Sequence, residues 1–295
     1  MLSICIPIFN NDCNKLVDDL YAQIQQQKVA IEIICIDDKS NNNFRNINKN
    51  LHQKCNYILL DNNIGRAKIR NKFLGYCKYN WLLFLDNDAI IFTDNFIEKY
   101  ITEINKNNCD VICGSTSFIA QSRTNYLSYK YCKFIEIKML NSRKNKPYGS
   151  FMTNNFVIKK EVLLQIKFDE NITTYGHEDT LFGFRLKQQN VEILHINNAV
   201  NCVANDDNKV FIQKTKQAIK NLVHITQDLD YDKEFIDDVK ILSVYFKLKK
   251  SGINYLIKTL NFILLRPIEV LLIKGYNNLY LYNFYKLLLL SGTNL

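Results

Sequence analysis

Two aspartates, separated by one residue, follow a short apolar run in the first third of the chain. Asp86 and Asp88 come directly after residues 81–85 (WLLFL). A run this short and apolar predicts a strand buried on both faces, and ligands of open α/β sheets bind beyond the carboxyl ends of such strands. Carboxylate oxygens suit a hard divalent cation. Since alternate residues of an extended segment face apart, one aspartate can bind the cation while the other contacts another part of the same ligand. The alternative is that both aspartates end the strand and cap a helix.

A second pair of carboxylates ends another predicted strand. Residues 36–40 (IDDKS) place Asp37 and Asp38 beside a turn. A carboxylate there can accept hydrogen bonds from a base or a ribose. Capping of the following helix is the alternative role for either aspartate.

Two further segments combine turns with charged side chains. In residues 63–71 (NIGRAKIRN), Gly65 permits close backbone approach at a helix start, and Arg70 lies on the same helix face as Arg66. A helix start with a guanidinium beside it suits a diphosphate. Residues 175–179 (YGHED) form a predicted turn that opens a helix with two acids, which the helix dipole alone would also favour.

The elements that position these residues alternate between strands and helices. The hydrophobic period switches repeatedly between two and 3.6, which is typical of an α/β fold. Residues 115–152 show no clear pattern, and the chain beyond residue 228 is predicted to be helical. The predicted strands are residues 2–8, 31–36, 57–60, 81–85, 110–113, 156–159 and 191–195, and the predicted helices are residues 12–27, 65–79, 95–106, 178–189 and 208–223.

Taken in chain order, these segments and residues 7–10 (PIFN) resemble the family 2 glycosyltransferases. No single motif is specific, but five in the same order with similar spacing are. The resemblance covers about residues 1–225. It implies the GT-A fold of that family, a nucleotide-sugar-binding α/β domain with a mixed, mostly parallel central sheet. Residues 226–295 are then expected to form a helical C-terminal extension.

The resemblance implies a donor site at the matching positions. Asp38 would contact the base, most simply a uracil, Asp86 would approach the ribose, and Asp88 would bind Mn²⁺ or Mg²⁺ on the diphosphate. Phe9 stands where the family often has Tyr, which keeps the ring and removes a hydroxyl. The implied donor-binding residues are Pro7, Phe9, Asn10, Asp38, Asn63, Gly65, Arg70, Asp86 and Asp88.

The resemblance also implies the acid–base residues. Asp179 would be the general base, and Glu178 would act on the acceptor side. Some relatives add a metal-binding His after the helix and strand that follow. The matching residues 199–203 (AVNCV) contain no His, and His195 is expected to be a strand-end residue.

The implied reaction is transfer of a sugar from a nucleotide-diphosphate sugar to a hydroxyl of a glycan or lipid-linked acceptor. A single carboxylate base opposite the leaving group gives inversion of configuration. The Gln-x-x-Arg-Trp motif and the membrane-spanning helices of processive members are missing, so single-sugar addition in surface polysaccharide assembly is expected. The alternatives are a non-catalytic nucleotide-sugar-binding relative or a sugar nucleotidyltransferase. Residues 10–14 (NNDCN) lack the Gly-rich basic loop that usually begins a nucleotidyltransferase.

Composition bears on the cellular setting. Nine scattered cysteines without a C-x-x-C pair, in a chain that starts without a signal peptide, favour a reducing cytoplasm. The net charge is +9, and residues 240–290 carry eight basic residues and one acid. Because these basic residues follow no nucleic-acid-binding motif, no nucleic-acid partner is expected. The tail is interpreted either as peripheral on the anionic inner face of the membrane or as packed with a solvated basic face.

Overall fold

The computed structural model describes residues 1–118, 126–202, 206–293 and 295. Within these residues, seven strands form one sheet, in the order β3-β2-β1-β4-β6-β5-β7. The strands are β1 (Leu2–Ile8), β2 (Ile31–Asp37), β3 (Asn56–Leu59), β4 (Trp81–Leu85), β5 (Val111–Phe118), β6 (Asn155–Lys159) and β7 (Ile193–Cys202).

The sheet is mixed and mostly parallel. β1 pairs in parallel with β2 and β4, β2 pairs in parallel with β3, and β5 pairs in parallel with β7. β6 runs antiparallel to both of its neighbours, β4 and β5. The predicted α/β fold with a mixed, mostly parallel sheet is confirmed.

The helices follow the strands closely in the first 200 residues and then dominate the chain. Short 3₁₀ turns at Asn48–Gln53, Phe73–Gly75 and Tyr148–Ser150 and a π-helical turn at Cys132–Glu136 complete the described structure. The α-helices are α1 (Asn14–Ile24), α2 (Asn42–Ile47), α3 (Arg66–Lys72), α4 (Phe96–Lys106), α5 (Leu127–Tyr131), α6 (Leu140–Asn145), α7 (Lys160–Gln165), α8 (Glu178–Gln188), α9 (Asn208–Asp228), α10 (Lys233–Asp238), α11 (Lys240–Lys250), α12 (Asn254–Ile273) and α13 (Leu279–Ser291).

The chain divides into two compact units. The first contains the whole sheet and comprises residues 1–118, 138–173 and 178–202 of the described chain; the second comprises residues 126–137, 174–177 and the helices from residue 206 onward. The predicted division into a catalytic domain of residues 1–225 and an extension of residues 226–295 stays a prediction. The second unit of the structure additionally takes in α9 and two earlier segments. No helix in the described ranges has the length and apolar character needed to cross a membrane.

Apolar side chains cover both faces of the sheet in the first unit. Ile4, Ile6 and Ile8 of β1 lie in one core cluster with side chains of α1 and α4, whereas Cys5 lies in the cluster on the other face. This alternation follows from the pleat, which sends successive side chains to opposite faces. Burial on both faces explains why β1, β2 and β4 are mostly apolar.

Several predicted elements differ from those observed; the strand predicted over residues 110–113, for example, continues as β5 to Phe118. The helix predicted over residues 65–79 ends as α3 at Lys72 and tightens into a 3₁₀ turn. Phe73 and Cys77, which are spaced as on one helix face, are both buried, so their burial does not require the helix to continue. The strand predicted over residues 191–195 continues as β7 to residue 202, paired with β5 beyond a register shift between Cys113 and Ser115. His195 is therefore inside a strand and not at its end, which corrects the prediction.

Gly114 occupies this register shift because there is no room for a side chain. A Cβ at this position would lie 2.6 Å from the carbonyl oxygen of Asn198, and closer still to Asn155 Nδ2 and the Tyr100 hydroxyl. These groups form a buried network, in which the Tyr100 hydroxyl donates to Asn155 Oδ1 (2.6 Å) and Asn155 Nδ2 donates to the Asn198 carbonyl (2.8 Å). The network joins β5, β6, β7 and α4.

Gly114→Ala is expected to destabilise the chain by about 1–3 kcal/mol, because the added methyl group overpacks this network. Chemical denaturation followed by circular dichroism measures the change. Gly75→Ala is the matched control, since nothing lies within 4 Å of a Cβ at that position. Equal stability of the two variants would contradict the packing argument.

Candidate active site

The aspartates after β4 sit in a tight turn. The backbone N–H of Asp86 donates to the carbonyl of Asn154 (3.2 Å), and the N–H of Ala89 donates to the carbonyl of Asp86 (3.1 Å). Ile90 then pairs with Asn201 of β7. Asp88 is exposed, whereas Asp86 is partly buried. The turn thus presents one carboxylate to solvent and holds the other closer to the protein.

Arg70 holds the partly buried carboxylate. Its Nη2 lies 3.0 Å from Asp86 Oδ1, its Nη1 donates to the carbonyl of Arg66 (3.2 Å), and its guanidinium lies 5.7 Å from the ring centroid of Phe168. Arg70 is 2% exposed. The structure therefore directs this guanidinium at Asp86. A direct contact between Arg70 and a diphosphate stays a prediction.

Asp38 fastens the loop before α3. Its two carboxylate oxygens accept hydrogen bonds from the N–H groups of Ile64 (2.7 Å) and Gly65 (2.9 Å), and Asn63 Nδ2 donates to its carbonyl (3.0 Å). Gly65 has φ +84°, a conformation that glycine adopts without strain. The predicted base-contacting aspartate therefore shapes the loop, while its contact with a base stays a prediction.

Asp37 is fully buried beneath this loop. Its Oδ1 accepts from the N–H of Ser40 (2.6 Å), and its Oδ2 accepts from the Tyr57 hydroxyl (2.9 Å). Burial, followed by this hydrogen bond, raises the pKa of Tyr57. Asp37 therefore closes the turn after β2, whereas Asn41 caps the following helix α2 by accepting from the N–H of Phe44.

The first motif is tied to both pairs of aspartates. Pro7 lies beside Ile36 in the register of β1 with β2, and Phe9 is half exposed. Asn10 has φ +48°; its N–H donates to Ser40 Oγ (2.9 Å) and its Oδ1 accepts from the N–H of Asn41 (2.8 Å). Residues 7–10, the predicted nucleotide-pocket segment, are thus hydrogen-bonded to the segment after β2.

Two asparagines that the sequence analysis missed complete this connection. Asn11 Nδ2 donates to the carbonyl of Asn87 (2.6 Å), and Asn87 Nδ2 donates to the carbonyl of Phe9 (3.4 Å). They fix the Asp86–Asp88 turn against the end of β1. The sequence signal for Asn87 is its position between Asp86 and Asp88.

Glu178 connects the last motif to the loop before α3. It is buried at the first position of α8, and its Oε1 lies 3.8 Å from Arg66 Nη1. A Cβ on Gly65 would lie 3.5 Å from the carbonyl oxygen of Thr173, which places the two segments side by side. The structure therefore brings the predicted acceptor-side carboxylate to the predicted diphosphate loop.

Asp179 follows in the first turn of α8 and is partly exposed. Its Oδ1 accepts from the N–H of Thr180 (2.7 Å). Lys138, in the segment without a sequence pattern, also donates to the carbonyl of Gly149 (3.0 Å). Desolvation lowers the pKa of Lys138, Lys146 lowers it further, and the charge of Asp179 raises it. Lys138 is a third residue that the sequence analysis missed.

Residues 175–177 belong to the second unit. Asn221 Nδ2 donates to the carbonyl of Gly176 (2.9 Å), and a Cβ on Gly176 would overlap the side chain of Ala218. Gly176 and His177 both have positive φ, of +105° and +67°. Burial, and then the charge of Lys286, lowers the pKa of His177 to about 4. His177 is therefore neutral near pH 7.

His195 is occupied by structural partners. Its Nδ1 lies 3.1 Å from Arg143 Nη1 and its Nε2 lies 2.9 Å from the carbonyl of Pro147. Because a carbonyl accepts and a guanidinium donates, Nε2 carries the proton and the ring is neutral. Desolvation lowers the pKa of His195 despite the Pro147 hydrogen bond, which raises it. The ring contributes to the fold of the first unit.

The turn after β4 fits a divalent cation whose remaining coordination positions are filled by water and by the phosphates of a bound ligand. Within the described ranges, no three His, Cys, Asp or Glu side chains form a complete metal site. Mg²⁺ usually keeps waters and binds one or two carboxylates together with substrate phosphates. The exposed residue Asp88 matches that donor set, and Asp86, which is predicted to approach the ribose, lies in the same turn.

Comparison of the sequence with known proteins gives two findings. Residues 3–166, more than half of the chain, match the family model described as glycosyl transferase family 2. A chondroitin synthase of Pasteurella multocida (strain Pm70) is 24% identical over 221 residues, with 63% of this chain and 23% of the relative covered. The chain therefore spans less than a quarter of that relative's length.

Solved structures share the fold. The mannosyltransferase PcManGT from Pyrobaculum calidifontis, solved with GDP-Man and Mn²⁺, has a TM-score of 0.60 at 12% identity, with 98% of this chain and 85% of that chain covered. S. aureus TarS has a TM-score of 0.52 at 18% identity, with 98% and 55% covered. Residues 1–349 of TarS, solved with UDP-GlcNAc, have a TM-score of 0.51 at 17% identity, with 98% and 90% covered.

The fold, the five ordered motifs and the extent of the family match lead to one conclusion. The chain belongs to glycosyl transferase family 2.

Proposed function

We propose that this chain transfers a single sugar from a nucleotide-diphosphate sugar to a hydroxyl group of a glycan or lipid-linked acceptor, with inversion. One observation carries the proposal. Hydrogen bonds and ion pairs gather four separate segments of the first unit around the carboxyl ends of β1, β2 and β4, while Asp88 stays exposed. This arrangement suits a nucleotide with a charged diphosphate.

The proposed donor site runs from the end of β1 to the turn after β4. Phe9, after β1, offers a half-exposed ring on which a base can stack, and Asp38 follows β2, the neighbour of β1 in the sheet. A UDP-linked sugar is the proposed donor, which the solved complex of TarS with UDP-GlcNAc supports by analogy of fold. The GDP-Man complex of PcManGT makes a guanine nucleotide the alternative to test.

Asp88 would hold the Mn²⁺ or Mg²⁺ ion, while Asp86, oriented by Arg70, would approach the ribose. Such an ion supplies charge neutralisation for the departing diphosphate. The protein's own contribution is orientation, since Arg70 fixes Asp86 and the two asparagine hydrogen bonds fix the turn. A fixed carboxylate loses little conformational freedom when the donor binds.

Asp179 would remove the proton of the acceptor hydroxyl as that oxygen attacks the anomeric carbon. The bond from this carbon to the diphosphate oxygen breaks at the same time, and attack from the opposite face inverts the configuration. Asp179 is partly exposed at a helix start, where a carboxylate is stabilised as an anion. Glu178 would orient the acceptor side while paired with Arg66.

The proposed setting is the cytoplasm, in the assembly of a cell-surface polysaccharide. The composition that favours a reducing compartment and the family membership support it. A nucleotide-sugar-binding protein without activity is the competing proposal, favoured by the lack of a His in residues 199–203.

Incubation with a panel of UDP- and GDP-sugars, each with a glycan acceptor and Mn²⁺, tests the proposal through release of the nucleotide diphosphate. Acceptor-dependent release from one donor is expected. Binding of a nucleotide sugar without any release would support the non-catalytic alternative. Release of pyrophosphate from a nucleoside triphosphate and a sugar phosphate would instead identify a nucleotidyltransferase.

Asp88→Ala is expected to lower metal-dependent turnover by on the order of a thousandfold or more while leaving the fold intact, because an exposed carboxylate stabilises charge in the reaction and little in the core. Steady-state turnover with Mn²⁺, and with EDTA, measures the effect. Asp94→Ala removes an exposed carboxylate from the same connection between β4 and α4 and is the control. Unchanged turnover in Asp88→Ala, or in EDTA, rules out the metal assignment.

Asp179→Asn is expected to preserve donor affinity and to lower kcat by about 10²–10⁴-fold, since a base acts on the transition state and not on donor binding. Calorimetric donor binding and single-turnover kinetics separate the two quantities. The same exchange at exposed Asp237, in α10, is the control. Parallel losses of affinity and rate would place Asp179 in the donor site instead.

A further inference from the structure

One face of α12 is apolar and exposed. The side chains of Tyr255, Leu256, Phe262, Ile263, Val270 and Leu271 are between 48% and 91% exposed, with Phe262 the most exposed. They form three adjacent pairs separated by seven or eight residues, which is two helical turns, so they lie on one side of the helix. We call these six residues the outer face of α12. The exposed face of a helix in water normally carries charged and polar residues. An exposed apolar face of this size marks an interaction surface.

The opposite face of α12 explains why the helix is held in place. Ile257, Ile268 and Leu272 are buried in one cluster with side chains of α9 and α13. Glu269 accepts from Lys216 Nζ (2.7 Å) and from the Tyr285 hydroxyl (3.2 Å). The helix is thus anchored within the second unit along its inner face, and the outer face is not needed for that anchoring.

Positive charge accompanies the outer face. Residues 240–290 carry eight basic residues, and their single acid is Glu269, whose carboxylate is paired with Lys216. Lys258 and Arg266 are exposed on α12 itself, Lys274 follows its last turn, and Lys247 and Lys250 precede it on α11. An exposed apolar face on a helix that also carries exposed cations complements a surface that is apolar beneath a layer of negative charge.

We propose that the outer face of α12 docks on the surface of an anionic lipid bilayer, with the helix lying in the plane of the membrane. The helix has 20 residues and is about 30 Å long. Helices of this kind bury their apolar face at the boundary of headgroups and acyl chains, while basic residues contact anionic headgroups. The exposed phenol rings of Tyr255, Tyr276 and Tyr280 suit the same boundary.

A bilayer explains the charge better than a second copy of the chain does. Two copies meeting through this face would bring their excess positive charges together, which like-charge repulsion disfavours. An anionic bilayer satisfies both the apolar and the basic residues. This docking is independent of the proposed sugar transfer, and its test measures no turnover.

Sedimentation of the full chain with phospholipid vesicles tests the proposal. The chain is expected to sediment with vesicles of equal parts phosphatidylcholine and phosphatidylglycerol, less with phosphatidylcholine alone, and less again as salt is added. The double variant Phe262→Ser/Ile263→Ser should bind at least about tenfold more weakly, because it removes two large apolar side chains from the interface. Lys258→Glu/Arg266→Glu should also bind more weakly and lose most of the salt dependence.

Matched controls separate docking from general surface effects. Leu164→Ser changes an exposed leucine on α7, and Lys49→Glu/Lys144→Glu reverses two exposed lysines of the first unit. Both should sediment like the unchanged chain, and circular dichroism should show all variants folded. Two results would overturn the proposal: no sedimentation of the unchanged chain with anionic vesicles, or undiminished sedimentation of Phe262→Ser/Ile263→Ser. A dimer in ultracentrifugation that this variant abolishes, without vesicle binding, would identify a second copy as the partner.

Discussion

The ion pair between Arg70 and Asp86 joins α3 to the turn after β4. Its guanidinium is almost fully buried, and removal of one partner from such a pair typically costs about 3–5 kcal/mol because the other charge is left behind. Lysine would not replace this arginine well. A compact ammonium cannot reach Asp86 and the carbonyl of Arg66 at once, as the planar guanidinium does. The orientation of Asp86 therefore depends on a side chain 16 residues away.

Around this pair, neutral side chains fix the turns. Asn10 accepts a left-handed backbone conformation, which asparagine tolerates better than most residues, and bonds to the segment after β2. Asn11 and Asn87 bond to each other's region of backbone across the ends of β1 and β4. Amides can both donate and accept, so they satisfy turn backbone without adding charge.

The strands that deliver the site could be predicted because burial on both faces makes them mostly apolar, as in β1, β2 and β4. The end of β7 could not, because its polar residues interrupt the pattern. Asn198 is buried by donating to the carbonyl of Phe96 (2.9 Å), a partner 102 residues away. The partner of Arg70 was unpredictable for the same reason. Local spacing identifies a helix face, but only the assembled sheet shows which carboxylate that face meets.

The two aspartates of one short motif are separated by burial into different tasks. Asp86 pairs with the buried guanidinium of Arg70, so it contributes to the stability of the fold. Asp88 is exposed, so little of the folding free energy depends on it. The same contrast holds at α8, where Glu178 is buried against Arg66 and Asp179 is partly exposed. In both motifs the residue proposed for chemistry, Asp88 or Asp179, lies within two residues of a carboxylate that is paired with an arginine. A carboxylate can reach a charged ligand accurately only if its backbone is fixed, and the buried neighbour supplies that fixation.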